Sequence, residues 1–461
     1  MPSILGLKPD DINPIEKRAK YTISIIGCGQ IGVQFAIAFA EAGFKVICTD
    51  EDQNLLRLMT KGKIPYFGSE IEKRLNSNVK RERIKTESEI KTAAANSDII
   101  ILTISPQINT RNKLNFSKIE RSCKLIGEVL NQGTLFVYGA TASLGFIENN
   151  IKEILENASG LKTTKDFGLV YSPIQFENNQ FSEFFINQKL TLAGFDKSIL
   201  KSAELIFQTV MKNEIDIVVD FKKLEAAVLF SIIKNDVYLA FANEIAMFCE
   251  KANLDYFEVM KIVENHKPKD PEIIGITKEE KNKFFMFLEN EENNNNTNNT
   301  NNTNNTNNNF KLFSIARKIN EGITIHSTKL AQKALRICGK TLRRAKISIF
   351  GSIKPNSSAA ELIKLLEKKG AKTSLYDPFC PKGYLKEDTR VFRKNLNEAV
   401  EGTDCLIILN AHYKINKLNF KKLKARMKMP AAIIDIAGSI ERKKAEKEGF
   451  IYCGLGRGSK K

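Results

Sequence analysis

The chain has 461 residues, too many for one ordinary hydrophobic core, and its 42% hydrophobic and 27% charged content excludes a fibrous or wholly disordered class. Lys and Arg outnumber Asp and Glu by 71 to 53, a formal charge of +18. That excess is spread in short clusters such as Lys80–Lys85, Arg343–Lys346 and Lys460–Lys461, with no aromatic-interleaved basic stripe, so a nucleic-acid partner is not expected.

Residues Met1 to Lys20 are polar, contain Pro and several charges, and lack the apolar core of a signal peptide, which points to a cytoplasmic location. Eight cysteines (Cys28, Cys48, Cys123, Cys249, Cys338, Cys380, Cys405, Cys453) are scattered without a CxxC pair. Neither a disulfide framework nor a metal site is expected from them.

The first β-branched run, Thr22 to Ile26, leads through a glycine turn into an amphipathic segment, Ile31 to Ala42, then Gly43 and a second strand, Lys45 to Thr49. Strand-like runs at Asp98–Ile104, Thr134–Tyr138 and Phe167–Tyr171 alternate with helical periodicity at Ser88–Ala95 and Ser117–Leu130. This alternation predicts a doubly wound parallel sheet extending to about Ile217. From Lys222 to Asn253 the pattern is helical for about nine turns, a length suited to joining domains or packing against a second subunit. Its apolar stretch, Ala226 to Phe248, is interrupted by Lys234, Asn235 and Asp236 and again by Asn243 and Glu244, so a membrane span is not expected.

An Asn/Thr tract at 293–309 is too polar to join a core and reads as an inserted disordered segment. After it, Ile315 to Leu342 reads as helix, and strand–helix–strand returns at Lys346–Phe350, Ala359–Lys369 and Lys372–Tyr376. Asp404–Leu409 and Ala432–Ile436 continue a second, smaller α/β domain.

Chemistry is most legible at Gly27-Cys28-Gly29-Gln30-Ile31-Gly32, a G-x-G-x-x-G that follows a strand and opens a helix, with Asp50 at the end of the next strand. Gly27 permits the tight turn, Gly29 lets backbone approach a diphosphate, and Gly32 lets helix pack on strand; the helix N-terminus, with Gln30 and Ile31, stabilises the anion. Asp50 would accept from adenosine ribose hydroxyls and repel the extra phosphate of NADP. NAD is the expected cofactor.

Further residues carry a family resemblance: Glu41-Ala42-Gly43-Phe44-Lys45-Val46, Ser105-Pro106, Thr141 with Gly145, Tyr171-Ser172-Pro173, and Ala240-x-Ala242-Asn243-Glu244 in the long helix. Lys354-Pro355-Asn356, Tyr376-Asp377-Pro378, His412, Asp435 and Tyr452-x-Gly454-Leu455-Gly456-Arg457-Gly458 follow in the last domain. Together they resemble the UDP-glucose/GDP-mannose dehydrogenase family. The resemblance implies an N-terminal Rossmann-type doubly wound parallel sheet, a central long-helix dimerisation region and a second, smaller Rossmann-like α/β domain. Domain bounds of 1–217, 218–330 and 331–461 are expected, the last holding a nucleotide sugar, a UDP-sugar first, with a homodimer formed through the central helix. It implies cofactor contacts by Ser105, Pro106 and Thr141 beside the glycine loop, and substrate contacts by Lys354 and Arg457. A helix-capping Thr141, a solvated Lys354 and a flexible basic tail around Arg457 remain open as alternatives.

The family's reaction is a two-step oxidation of a sugar C6 alcohol to a carboxylate, which requires a Cys nucleophile, oxyanion-stabilising Lys and Asn, and a carboxylate. Between Lys251 and Phe310 there is no cysteine, and the nearest echo of the family's Cys loop is His266-Lys267-Pro268-Lys269-Asp270. Counting back from Asn243-Glu244, the Lys position holds Val228, the Asn position Ile232, and only Glu225 is kept. Ile174 stands at the Glu of the x-x-Pro-Glu motif, with Glu177 nearby. Thr141, Glu225 and Asn235, the last two turns beyond Val228, are the remaining catalytic candidates. The expectation is an NAD-binding family member without the Cys-dependent oxidation. An oxidoreductase making a single hydride transfer and a dimeric interaction protein without turnover are the alternatives.

Overall fold

A computed structural model of the chain describes residues 4–64, 69–108, 114–174, 187, 189–264, 275–276, 311–353, 357–377, 392–393, 395–410 and 418–458. Glu177, His266, Lys354, His412 and the 293–309 tract lie outside them. The described residues divide into two compact units, one ending at Ser231 and the other starting at Ile232, so the division falls inside the long central helix Phe221–Lys251.

The first unit is built on an eight-stranded sheet. In chain order its strands are β1 Thr22–Ile26, β2 Lys45–Thr49, β3 Ile84–Thr86, β4 Ile99–Leu102, then, past a small antiparallel pair β5 Gln107–Ile108 and β6 Leu114–Asn115, β7 Leu135–Tyr138, β8 Gly168–Tyr171, β9 Leu190–Ala193 and β10 Ile215–Val218. Their spatial order is β10-β9-β8-β7-β4-β1-β2-β3, the doubly wound arrangement, with the order reversing between β1 and β4. Pairing is parallel throughout except between β8 and β9, which join antiparallel through Tyr171 and Ala193, so β9 and β10 run against the rest.

Strands β4, β7 and β8 are buried along their whole length, which is why they read as continuous apolar runs rather than alternating ones. The helix Gln30–Glu41 buries every residue from Gly32 to Ala40. Phe35 and Phe39 on it meet Phe44 and Phe207 at ring-centroid distances of 5.6–6.0 Å, mostly edge-to-face, sealing one face of the sheet. Aspartates open two helices of this unit: Asp52 accepts from the N–H groups of Asn54 and Leu55, and Asp196 from those of Ser198 and Ile199.

The second unit carries a five-stranded parallel sheet of β11 Lys346–Phe350, β12 Lys372–Tyr376, β13 Cys405–Ile408, β14 Ala432–Asp435 and β15 Ile451–Gly454, in the order β12-β11-β13-β14-β15. The helix Ser358–Lys368, opened by Ser357, and a second long helix, Lys311–Ile337, pack with it around a core that includes Ile347, Ile349, Leu362, Ile363, Ile407 and Ile434. The architecture is the expected one, two Rossmann-like sheets with a long helix between them in sequence. Among the described residues no helix is long and apolar enough to cross a membrane.

Within the second unit, polar side chains tie the central helix to its neighbours. Asp236, fully buried, pairs with Arg317 at 3.0 Å and accepts from the Asn320 amide at 2.9 Å. Asn243 contacts Asn320 and satisfies both the N–H and the carbonyl of Gly275, at 2.8 and 3.0 Å. Asn243 is thus an internal tie, whereas its neighbour Glu244 is exposed. Removing one partner of a buried ion pair leaves an uncompensated charge, so Arg317→Ala should destabilise the second unit by about 3 kcal/mol. Guanidinium unfolding read by circular dichroism checks this; a loss below about 1 kcal/mol would show that the pair is not energetically engaged.

Candidate functional site

The order reversal between β1 and β4 leaves a crevice at the carboxyl ends of the strands, where open α/β sheets bind ligands. The G-x-G-x-x-G turn lies there. Gly27 has φ of +96°, and a Cβ on it would stand 2.9 Å from the Ile104 side chain. A Cβ on Gly32 would lie 1.9 Å from the Gly27 carbonyl oxygen, so only glycine lets the helix start this close to the strand. Gly29 is different: among the described residues nothing comes within 4 Å of where its Cβ would be. Two glycines are therefore required by the protein's own packing, and the third faces open space at the N-terminus of the helix Gln30–Glu41. That is the cradle a diphosphate needs.

Asp50 follows β2. Its Oδ2 accepts from the Cys28 N–H at 2.6 Å and its Oδ1 from the Asp52 N–H at 2.9 Å. Burial pushes its carboxyl above the usual range, while those two N–H groups pull it back. A carboxylate offers about four acceptor sites, so capacity remains for ribose hydroxyls at this half-buried group. Ser105 and Pro106 lie just past β4, Ser105 partly exposed and Pro106 buried. The residues present thus fit a bound dinucleotide.

Thr141 is buried just beyond β7, but the helix that follows begins near Phe146 and is not capped by it. Glu225, from the central helix, takes that role: its two oxygens accept from the N–H groups of Gly145, at 2.5 Å, and Ile147, at 2.9 Å. Burial pushes the Glu225 carboxyl up to about 7, opposed by those two N–H groups. Sequence spacing gives no sign of this contact, because the partners are 80 and 78 residues apart.

On the central helix, Val228 and Ile232 are buried and Asn235 is exposed, so helical spacing alone misjudges the surroundings of Asn235. Ile174, past β8, is buried as well. Arg457 pairs with Asp255 and lies with its guanidinium 4.2 Å from the centre of the Phe257 ring. It ties the segment at Arg457 to the start of the helix Tyr256–Glu264, so Arg457 itself is not a solvated side chain. Asp435 is also internal, accepting from the Ser439 and Ile440 N–H groups and the Tyr452 hydroxyl at 2.7–3.1 Å.

The described thiols are poorly suited to nucleophilic work. Burial raises those of Cys123, Cys249, Cys338, Cys405 and Cys453, and Cys28 is raised by its hydrogen bond with Cys48 and by burial. The Cys28 thiol points under the glycine turn toward the Thr49 carbonyl, at 3.4 Å. Cys380 lies outside the described residues.

Comparison with known proteins agrees with this geometry. Residues 21–211 match the NAD binding domain of the UDP-glucose/GDP-mannose dehydrogenase family, and residues 355–442 match that family's UDP binding domain. The chain is 24% identical over 460 residues to the UDP-N-acetyl-D-mannosamine dehydrogenase of Pyrococcus horikoshii, covering 95% of this chain and 99% of the relative. It is 24% identical over 452 residues to the UDP-glucose 6-dehydrogenase TuaD of Bacillus subtilis, covering 94% and 93%. Among solved structures, the UDP-D-ManNAc dehydrogenase of Pyrococcus horikoshii superposes with a TM-score of 0.78 at 22% identity, covering 95% and 99%. A UDP-glucose dehydrogenase from Pyrobaculum islandicum superposes with 0.75 at 17% identity, covering 95% and 98%. At such identities the structural likeness speaks for the fold.

The raised Glu225 carboxyl has a stability consequence of defined sign. A folded-state value of about 7 lies above the ordinary carboxyl value, so the native state holds a proton that the unfolded chain releases. The resulting stabilisation is complete below the unfolded value and is lost as pH rises through 7. Chemical unfolding measured from pH ~5 to ~8 should show stability falling more steeply in the wild type than in Glu225→Gln. Parallel slopes for the two proteins would exclude the assignment.

Proposed function

The chain belongs to the UDP-glucose/GDP-mannose dehydrogenase family and carries its NAD binding domain, and from that premise we propose that it binds NAD and a UDP-sugar without the Cys-dependent oxidation to a carboxylate. One observation carries this reading: Val228 and Ile232, where the family resemblance puts the oxyanion-stabilising Lys and Asn, are both buried apolar side chains. The sequence between Lys251 and Phe310, where the nucleophile belongs, has no cysteine. Gly27, Gly29, Gly32 and the helix N-terminus at Gln30 and Ile31 hold the diphosphate in this reading, Asp50 holds the adenosine ribose, and Ser105, Pro106 and Thr141 border the cofactor. Bound NAD would supply a hydride acceptor. Lys354 serves the nucleotide of the sugar, whereas Arg457 supports the second unit from within, through Asp255.

A second reading, one hydride transfer at a sugar carbon without a covalent intermediate, is favoured by Glu225. A carboxyl pushed up to about 7 can keep or release its proton at neutral pH. Against it, both oxygens of Glu225 are already held by backbone N–H groups.

Self-association through the central helix belongs to the same proposal. Phe230, Tyr238, Phe241 and Phe248 on that helix are each more than half exposed, an apolar display suited to a second copy of the chain. Sedimentation of the double variant Phe241→Glu, Phe248→Glu should show a monomer where the wild type is dimeric; an unchanged dimer would place the contact elsewhere.

Turnover is tested by mixing the protein with NAD and a panel of UDP- and GDP-sugars, following absorbance of the reduced nicotinamide alongside thermal shifts. Thermal stabilisation by NAD and a UDP-sugar with no reduced nicotinamide is the expected result. One reduced nicotinamide per sugar would establish the single-transfer reading, and two would restore the complete family reaction and overturn the proposal.

A further inference from the structure

We infer that Thr103 is a positioning residue for the dinucleotide turn, holding the Gly27–Cys28 peptide in the orientation that keeps the turn open to a diphosphate. The inference rests on NAD occupying that turn. Thr103 is buried one residue past β4, and its own N–H extends the ladder by donating to the Ile26 carbonyl at 2.9 Å. Its hydroxyl then donates to the Gly27 carbonyl at 2.5 Å.

The other end of that peptide is held as well. The Cys28 N–H donates to Asp50 Oδ2 at 2.6 Å, so one peptide plane is gripped through its oxygen by β4's extension and through its nitrogen by β2's. Gly27, at φ of +96°, has the backbone freedom to let this peptide rotate. Rotation would break both contacts at once, turning the Gly27 carbonyl toward the Asp50 carboxylate and moving the backbone of the turn out of the position a diphosphate needs. The hydroxyl opposes it.

Packing assigns Thr103 the same importance. A Cβ on Gly27 or on Gly32 would lie 3.0 Å from the Thr103 hydroxyl, and one on Gly139 would lie 3.3 Å from its methyl group. Three glycines thus make room around one threonine. The second sheet grips its first turn from the corresponding two strands: Asn410, past β13, accepts from the Ser352 N–H at 2.8 Å, and Asp377, past β12, accepts from the Ile353 N–H at 3.0 Å.

The test is titration of the full chain with NAD, ADP-ribose and adenosine for the wild type, Thr103→Val and Thr103→Ser, by calorimetry and ligand-observed NMR. Val keeps the shape and removes the donor; Ser keeps the donor. Thr103→Val should bind NAD and ADP-ribose roughly tenfold more weakly, the size of effect one lost hydrogen bond gives, with adenosine unchanged. Thr103→Ser should stay within about twofold of the wild type. Undiminished NAD binding by Thr103→Val, or an equal loss for adenosine, would overturn the positioning role while leaving NAD binding intact. A wild type that binds no NAD would instead remove the dinucleotide reading and this inference with it.

Discussion

Where a parallel strand ends and its chain turns into a helix, the first N–H groups of the turn lack partners in the ladder, and burying them unpaired costs free energy. In both units an aspartate on the neighbouring strand's extension meets this requirement. Asp50 accepts from Cys28 beyond β1, and Asp377 accepts from Ile353 beyond β11. At the opposite end of the same strands, Asp98 accepts from the Thr22 N–H and Asp404 from the Lys346 N–H, each at 2.9 Å. Each sheet's first strand is thus fixed at both ends by a carboxylate from an adjacent strand. The glycine turn can be open to a ligand because its inner N–H groups are already satisfied from within.

This arrangement gives Asp50 two duties. Its inner contacts define the turn, and its remaining acceptor capacity is what a ribose diol would use. On the proposed reading, recognition and local folding therefore depend on the same carboxylate, and a change there would affect both. Gly29 has no such double role. Its Cβ position has no neighbour within 4 Å among the described residues, so the protein's own packing does not demand a glycine there.

The regular elements were legible because their physics is local. Strands β1, β2, β11 and β12 carry the expected bounds, as their β-branched runs are flanked by turn residues, and the long helix differs by one or two residues at its ends. The glycine fingerprint was legible for the same reason. What escaped were contacts between residues far apart in sequence. Thr103 sits in the run Ile99-Ile100-Ile101-Leu102-Thr103-Ile104, where a threonine reads as one more strand former. Helix capping is one of the two readings open for Thr141 because it precedes a helix, yet the capping group arrives from Glu225 on another element. Asn235 falls on the helical period of Val228, but period says nothing about which neighbours cover each turn, and Asn235 is exposed. The tie between Asn243 and Gly275 was likewise invisible, since a motif records residue types and not the backbone groups they satisfy.

On the proposed reading, the central helix has exchanged polar side chains for apolar ones without loss of fold. Glu225, Val228, Ile232 and Asp236 follow one another at helical spacing, and all four are buried. Both carboxylates are already committed, Glu225 to the N–H groups of Gly145 and Ile147, Asp236 to Arg317 and Asn320. Between them, on the proposed reading, a cationic and an amide side chain have been replaced together by Val and Ile. Losing only one member of a buried polar set would leave its partners unsatisfied at a cost of about 1–3 kcal/mol each, whereas replacing interacting groups by apolar ones of suitable volume is nearly neutral. Joint replacement is thus the stable route, and on the proposed reading it accounts for a chain that keeps its dinucleotide turn while Val228 and Ile232 stand where the oxyanion-stabilising pair would be.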